Sequence, residues 1–122
     1  MSTLKEDLEV ILKELKKVGD IEASAVVTRD GLLMASDIPE GIEKGTFAAM
    51  TATMTGAAET AISELKKGVP ERILIESPET KVISTGAGPK ALLVVMTGPD
   101  AGLGLILVEM SKAAEKIKRI IG

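Results

Sequence analysis

The sequence predicts an α/β chain of the α+β kind, with helices on both faces of a largely antiparallel sheet in the order α-β-β-α-β-β-β-α. Three observations carry this. Apolar residues recur at helical spacing in three separate stretches, one near each end and one in the middle. Between them lie short alternating runs bounded by Gly, Pro and Asp, the pattern of strands joined by turns. Ala91 to Met96 is apolar on both faces, as in a central strand covered on two sides, so helices are needed above and below it.

Thr3-Leu4-Lys5-Glu6 has the form of a capping box, with Thr3 as N-cap and Glu6 three residues on. Leu4, Leu8, Ile11, Leu12 and Leu15 then form one apolar stripe, Lys16 and Lys17 suit the negative helix end, and Gly19 can take a left-handed stop. Ile21 to Thr28 alternates, Arg29-Asp30-Gly31 supplies a turn, and Leu32 to Ala35 resumes as a strand, which together read as a β-hairpin. The segment DIPEGIEKG is a loop leading to the middle helix.

That helix, Thr46 to Lys67, has two faces. Phe47, Met50, Met54, Ala57, Ala58, Ala61 and Leu65, with Ile62 at the edge, gather at the period of a helix lying on a core. The opposite face reads Ala49, Ala52, Thr53, Gly56, Thr60 and Ser63, with charge only at Glu59, Glu64 and Lys67. Small residues at such spacing let a second backbone approach closely, so the helix is expected to have a second neighbour; an ordinary core helix with a thinly populated surface is the alternative. Gly68 and Pro70 end it. Glu71–Ser77, Lys81–Thr85 and Ala91–Met96 follow as strands, separated by Pro78-Glu79 and by Gly86-Ala87-Gly88-Pro89. From about Ala101, apolar residues from Leu103 to Ile120 repeat at helical spacing.

The length of 122 residues fits one domain, 1–122, able to bury about two-thirds of its unfolded surface. A net charge of −3 and a single aromatic, Phe47, argue against nucleic acid, which selects a basic face and stacking platforms. The chain has no Cys, His, Trp, Tyr, Asn or Gln. Absence of Cys points to an intracellular, cytoplasmic protein, and the lack of labile residues beside abundant Lys and Glu fits a thermophile or a designed sequence. The start is charged rather than signal-like, and the longest uncharged run, Gly45 to Ala58, is shorter than the roughly 20 residues of a membrane span.

No catalytic constellation emerges. Without His or Cys there is no imidazole base, no thiolate and no ordinary zinc site, and a Ser, Thr or Lys nucleophile would have nothing beside it for activation. Asp37, Glu40 and Glu43 read as a solvated loop face rather than metal ligands. Gly86-Ala87-Gly88-Pro89-Lys90 lacks phosphate-loop spacing and joins strand to strand, so it reads as a structural connection. No cofactor or metal is expected.

The element order, the hairpin VVTRDGLLMAS with its Asp30-Gly31-Leu32 turn, the small-residue middle helix and the late LLVVMTGPDAGLGLILVEMSKAA with Leu103-Gly104-Leu105 resemble the Roadblock/dynein-light-chain family over nearly the whole chain. The resemblance implies a profilin-like five-stranded antiparallel sheet with the terminal helices on one face and the middle helix on the other. It also implies a homodimer in which middle helices pair and the strand after each pairs across the two-fold axis. On this sequence the interface would comprise Ala49, Ala52, Thr53, Gly56, Thr60, Ser63, Arg72, Ile73, Leu74 and Ile75. The composition fits the prokaryotic branch of the family, whose members regulate Ras-like small GTPases as non-enzymatic platforms. Candidate partner contacts are Glu59, Ser63, Glu64 and Lys67 at the helix end and the strand Leu32–Ser36. Arg29, in an exposed turn, is the one arginine placed to reach a partner's nucleotide, although a solvated turn residue is the plainer reading. A small-molecule sensor with a pocket lined by some of the six Met is the alternative function.

Overall fold

The computed structural model describes residues 1–122. Its first helix, α1 (Leu4–Lys16), starts where the sequence signals it: the Thr3 hydroxyl accepts from the Glu6 N–H at 3.1 Å, and the Glu6 carboxylate accepts from the Thr3 N–H at 3.1 Å. Leu8, Ile11, Leu12 and Leu15 are buried, while Leu4 at the first turn stays exposed. Gly19 and Asp20 both take positive φ, 96° and 63°, and swing the chain into the sheet.

The order is then β1 (Ile21–Thr28), β2 (Leu33–Asp37), α2 (Lys44–Glu64), β3 (Arg72–Glu76), β4 (Lys81–Gly86), β5 (Ala91–Thr97) and α3 (Leu103–Ile121), the order that the sequence predicts. All strand neighbours are antiparallel, in the spatial order β2-β1-β5-β4-β3. The doubly apolar β5 is indeed central, and β2 and β3 are the edges. Strand alternation sends side chains to two unequal cores. On one face α1 and α3 pack Leu8, Leu12, Met110 and Ile117 over Val26, Ile83, Leu93 and Val95, within a cluster of 18 buried residues. On the other face the cluster has only 4 buried members, Ala25, Val27, Ala48 and Val94, so α2 is held by much less apolar burial than the terminal helices.

The orientation of α2 corrects the sequence reading. The helix lays Ala48, Thr51 and Thr55 on the sheet. Met50 and Leu65, expected in the core, are 59% and 65% exposed, and Ala57 and Ala61 are exposed as well. The helix is rotated by roughly a quarter turn or more from the apolar stripe. The physical reason lies in the hydroxyls. Thr51 donates to the Phe47 carbonyl at 2.8 Å and Thr55 to the Thr51 carbonyl at 2.9 Å, and Thr55 Oγ1 meets Ser84 Oγ of β4 at 3.1 Å. Their polar atoms are satisfied when buried, and their small volume permits a close approach to the sheet. Both ends also differ from Thr46–Lys67. The Glu43 carboxylate caps the Gly45 N–H at 3.2 Å, and Lys66 and Gly68 at φ 56° and 89° unwind the last turn.

Candidate functional site

The rotation of α2 creates the most distinctive surface of the molecule. One flank is used internally: a Cβ on Gly31, whose φ is +94°, would lie 3.2 Å from the Ala49 Cα and 3.7 Å from the Ala52 Cβ. The β1–β2 turn therefore abuts α2 at Ala49 and Ala52, and only Gly allows it. Thr53, Gly56, Thr60 and Ser63 are exposed, with open space around Gly56. Met50, Ala57, Ala61 and Leu65 are exposed too, and Phe47, Met54 and Ala58 are half-buried beside them. An apolar helix flank thus faces outward.

Arg29 and Glu59 are brought together across 30 residues of sequence, with Arg29 Nη1 donating to both Glu59 carboxylate oxygens at 3.2 Å. Arg29 Nη2 donates to the Gly88 carbonyl at 3.1 Å. The guanidinium fork thereby joins the β1–β2 turn, α2 and the β4–β5 connection, a use that lysine's point charge would not reproduce. This corrects the expectation of a free turn residue: Arg29 is committed within its own chain, and its Nε is buried without a partner. Glu64 and Lys67 are exposed and form no ion pair.

β3 carries the remaining named residues. Arg72, Leu74 and Ile75 are exposed and Ile73 is half-buried, because no strand lies outside this edge. Arg72 Nη2 donates to Ser111 Oγ of α3 at 3.3 Å, so Arg72 and, by alternation, Leu74 and Glu76 point to the face of the terminal helices. An open groove of about 450 Å³ runs here between β3, β4 and α3, lined by Arg29, Arg72, Ser111, Glu115 and Lys118 among others; no methionine lines it. The Gly86–Lys90 segment is a strand-to-strand connection closed by the Ala87 N–H on the Ala91 carbonyl at 2.9 Å. No three acidic side chains gather to hold a metal ion.

Residues 7–97 match the family model of the Roadblock/LC7 domain, three-quarters of the chain. The chain belongs to the Roadblock/LC7 family. This family is generally one of non-enzymatic regulatory or scaffold domains. The chain is 39% identical over 111 residues to the uncharacterized protein MJ1340 of Methanocaldococcus jannaschii, covering 91% of this chain and 96% of that one. Among solved structures, MglB of Myxococcus xanthus superposes with a TM-score of 0.90 at 19% identity, covering 98% of this chain and 91% of that one. The gliding protein MglB of Thermus thermophilus gives 0.89 at 20%, covering 98% and 92%. At such identities these structures establish the Roadblock fold and nothing further. No helix of this Roadblock domain is long and apolar enough to cross a membrane.

The surface residues that the sequence pattern does not reveal are Met50, Ala57, Ala61 and Leu65, whose apolar spacing reads as core although they are exposed. The Arg29–Glu59 bridge had no signal at all, since nothing in the linear pattern joins a turn to a helix 30 residues away.

Proposed function

We propose that this chain is a non-enzymatic, homodimeric platform on which a Ras-like small GTPase docks in the cytoplasm. Membership of the Roadblock/LC7 family supports the reading. The single observation that carries it is the uncovered apolar flank of α2 beside an open sheet edge: Met50 and Leu65 are 59% and 65% exposed, and Leu74 and Ile75 of β3 are 45% and 43% exposed. Exposed apolar surface of this kind on a small domain marks an interaction site. In the proposed dimer Met50, Met54, Ala57 and Ala61 of two α2 helices meet, with Thr53, Gly56, Thr60 and Ser63 at the margin, while Ile73, Leu74 and Ile75 join the sheets. Ala49 and Ala52 support the turn at Gly31 from within each copy. Glu64 and Lys67, at the free ends of the paired helices, remain for the GTPase. Because Arg29 is engaged by Glu59 and Gly88, the platform acts by holding the GTPase's own residues rather than by lending an arginine.

Light scattering tests this. The wild type is expected at twice 12.7 kDa. Ala57→Glu with Ala61→Glu places charge at two exposed positions, and is expected to give a folded monomer that no longer retains the GTPase. A GTPase retained equally by that monomer would remove the dimeric platform from the mechanism.

A further inference from the structure

β3 has a sequence, Arg72-Ile73-Leu74-Ile75-Glu76, that complements itself when reversed: apolar residues in the middle and opposite charges at the ends. Its free backbone groups can be identified. The Ser77 N–H donates to the Thr80 carbonyl at 2.9 Å, and Glu76 faces Lys81 and Ile75 faces Val82 in the same register. Alternation along an antiparallel ladder then turns Ser77, Ile75 and Ile73 towards β4, and leaves the N–H and C=O of Arg72, Leu74 and Glu76 aimed outward.

A two-fold axis perpendicular to the sheet constrains how a second copy can add here. Residues directly opposite each other share a face, and both copies carry α2 on the same side, so the axis must pass through a residue and not between two. Centring on Arg72 or Glu76 sets like charges against each other. Centring on Ile73 or Ile75 places one charged residue opposite Leu74 and leaves the other without an opposite in the strand. Centring on Leu74 sets Arg72 against Glu76 twice, Ile73 against Ile75 twice and Leu74 against itself. It is also the register in which every outward N–H and C=O of both strands finds a partner. The other edge offers no such match: β2 is half-buried, its reversed pairing would set Leu33 against Asp37, and Asp37 already faces Lys16 at 3.8 Å.

We propose that a second copy of this chain adds to β3 in the antiparallel register centred on Leu74, with Arg72 of each copy paired to Glu76 of the other. The charge pair is then the specificity element of self-assembly: it selects this register over its neighbours, and it selects a second copy over strands that lack the pattern. The inference rests on the homodimer reading above and adds its register and its pairing code.

Charge exchange and cross-linking test it together. R72E and E76R each place like charges opposite each other at two symmetric sites, so each is expected to weaken self-association by about tenfold or more. An equimolar mixture of R72E with E76R is expected to give heterodimers of wild-type strength, and the double variant R72E/E76R to restore the homodimer. The chain contains no Cys, so cross-linking has no background. Under oxidised glutathione, L74C is expected to cross-link to itself, its Cα atoms being about 5.5 Å apart. I73C and I75C alone should not, each lying two residues out of step with its own copy and beyond a reach of about 7 Å, whereas their mixture should. A wild-type dimer whose R72E and E76R variants associate normally, or in which I73C or I75C alone cross-links as fast as L74C, would overturn the register. A wild type that stays monomeric at all concentrations would overturn the homodimer itself.

Discussion

Arg29 makes three hydrogen bonds to two segments distant in sequence, Glu59 in α2 and Gly88 before β5, and so carries the contact between α2 and one end of the sheet. Both side chains of the ion pair are about one-third exposed, at 34% and 33%, so solvent screens part of the attraction. Nη1 is shared between both carboxylate oxygens, and the additional Nη2 bond to the Gly88 carbonyl raises the contact above an ordinary surface pair. Arg29→Ala is therefore expected to lower the unfolding free energy by about 1–2 kcal/mol in urea titrations. Arg29→Lys should recover less than half of that loss, because a single ammonium cannot span both acceptors. Equal stability of Arg29→Lys and wild type would reduce the interaction to simple charge. None of this was legible beforehand. A turn arginine and a helix glutamate are each ordinary surface residues until the fold places them 3.2 Å apart.

Among the elements, α1, α3 and the inner strands β1, β4 and β5 are legible because their main apolar stripes are the buried ones, whereas the edge strand β3 is apolar but exposed. Leu8, Leu12, Ile106, Met110 and Ile117 lie on the apolar stripes of their helices and are fully buried, whereas Val10, Leu105 and Val108 lie off those stripes and are exposed. In α2 the two signals part. Ala48, Thr51 and Thr55 face the sheet because they are small and their hydroxyls are satisfied locally, properties that an apolar stripe does not display. The stripe marks the apolar side of the helix, but the structure leaves Met50, Ala57, Ala61 and Leu65 exposed rather than against the sheet. The distinction is measurable. Leu12→Ala removes a fully buried side chain from the main core and is expected to cost about 2–5 kcal/mol at every protein concentration. Met50→Ala removes an exposed one, so its effect on the subunit itself should stay within about 0.5 kcal/mol. Any further loss should appear as a concentration dependence of the melting temperature, since it would come from weaker association. A large, concentration-independent loss for Met50→Ala would return that residue to the core.

At the scale of the whole molecule, composition decides how the proposed platform can be controlled. The chain holds 18 carboxylates and 15 basic side chains but no His, Cys or Tyr, so it lacks every side-chain type that ordinarily titrates between about pH 5 and pH 9. Stability changes with pH only where folded and unfolded states bind different numbers of protons, and the composition offers no side-chain type that ordinarily does so across that window. The slope is therefore expected to be zero: melting temperature and dimer mass should be flat from about pH 6 to 8.5. A sloping profile for the isolated chain would show that a group outside this inventory is coupled to folding. A flat profile has a functional consequence, because any pH sensitivity of an assembled GTPase complex would then belong to the GTPase. The proposed platform would then respond to occupancy of its α2 and β3 faces rather than to pH.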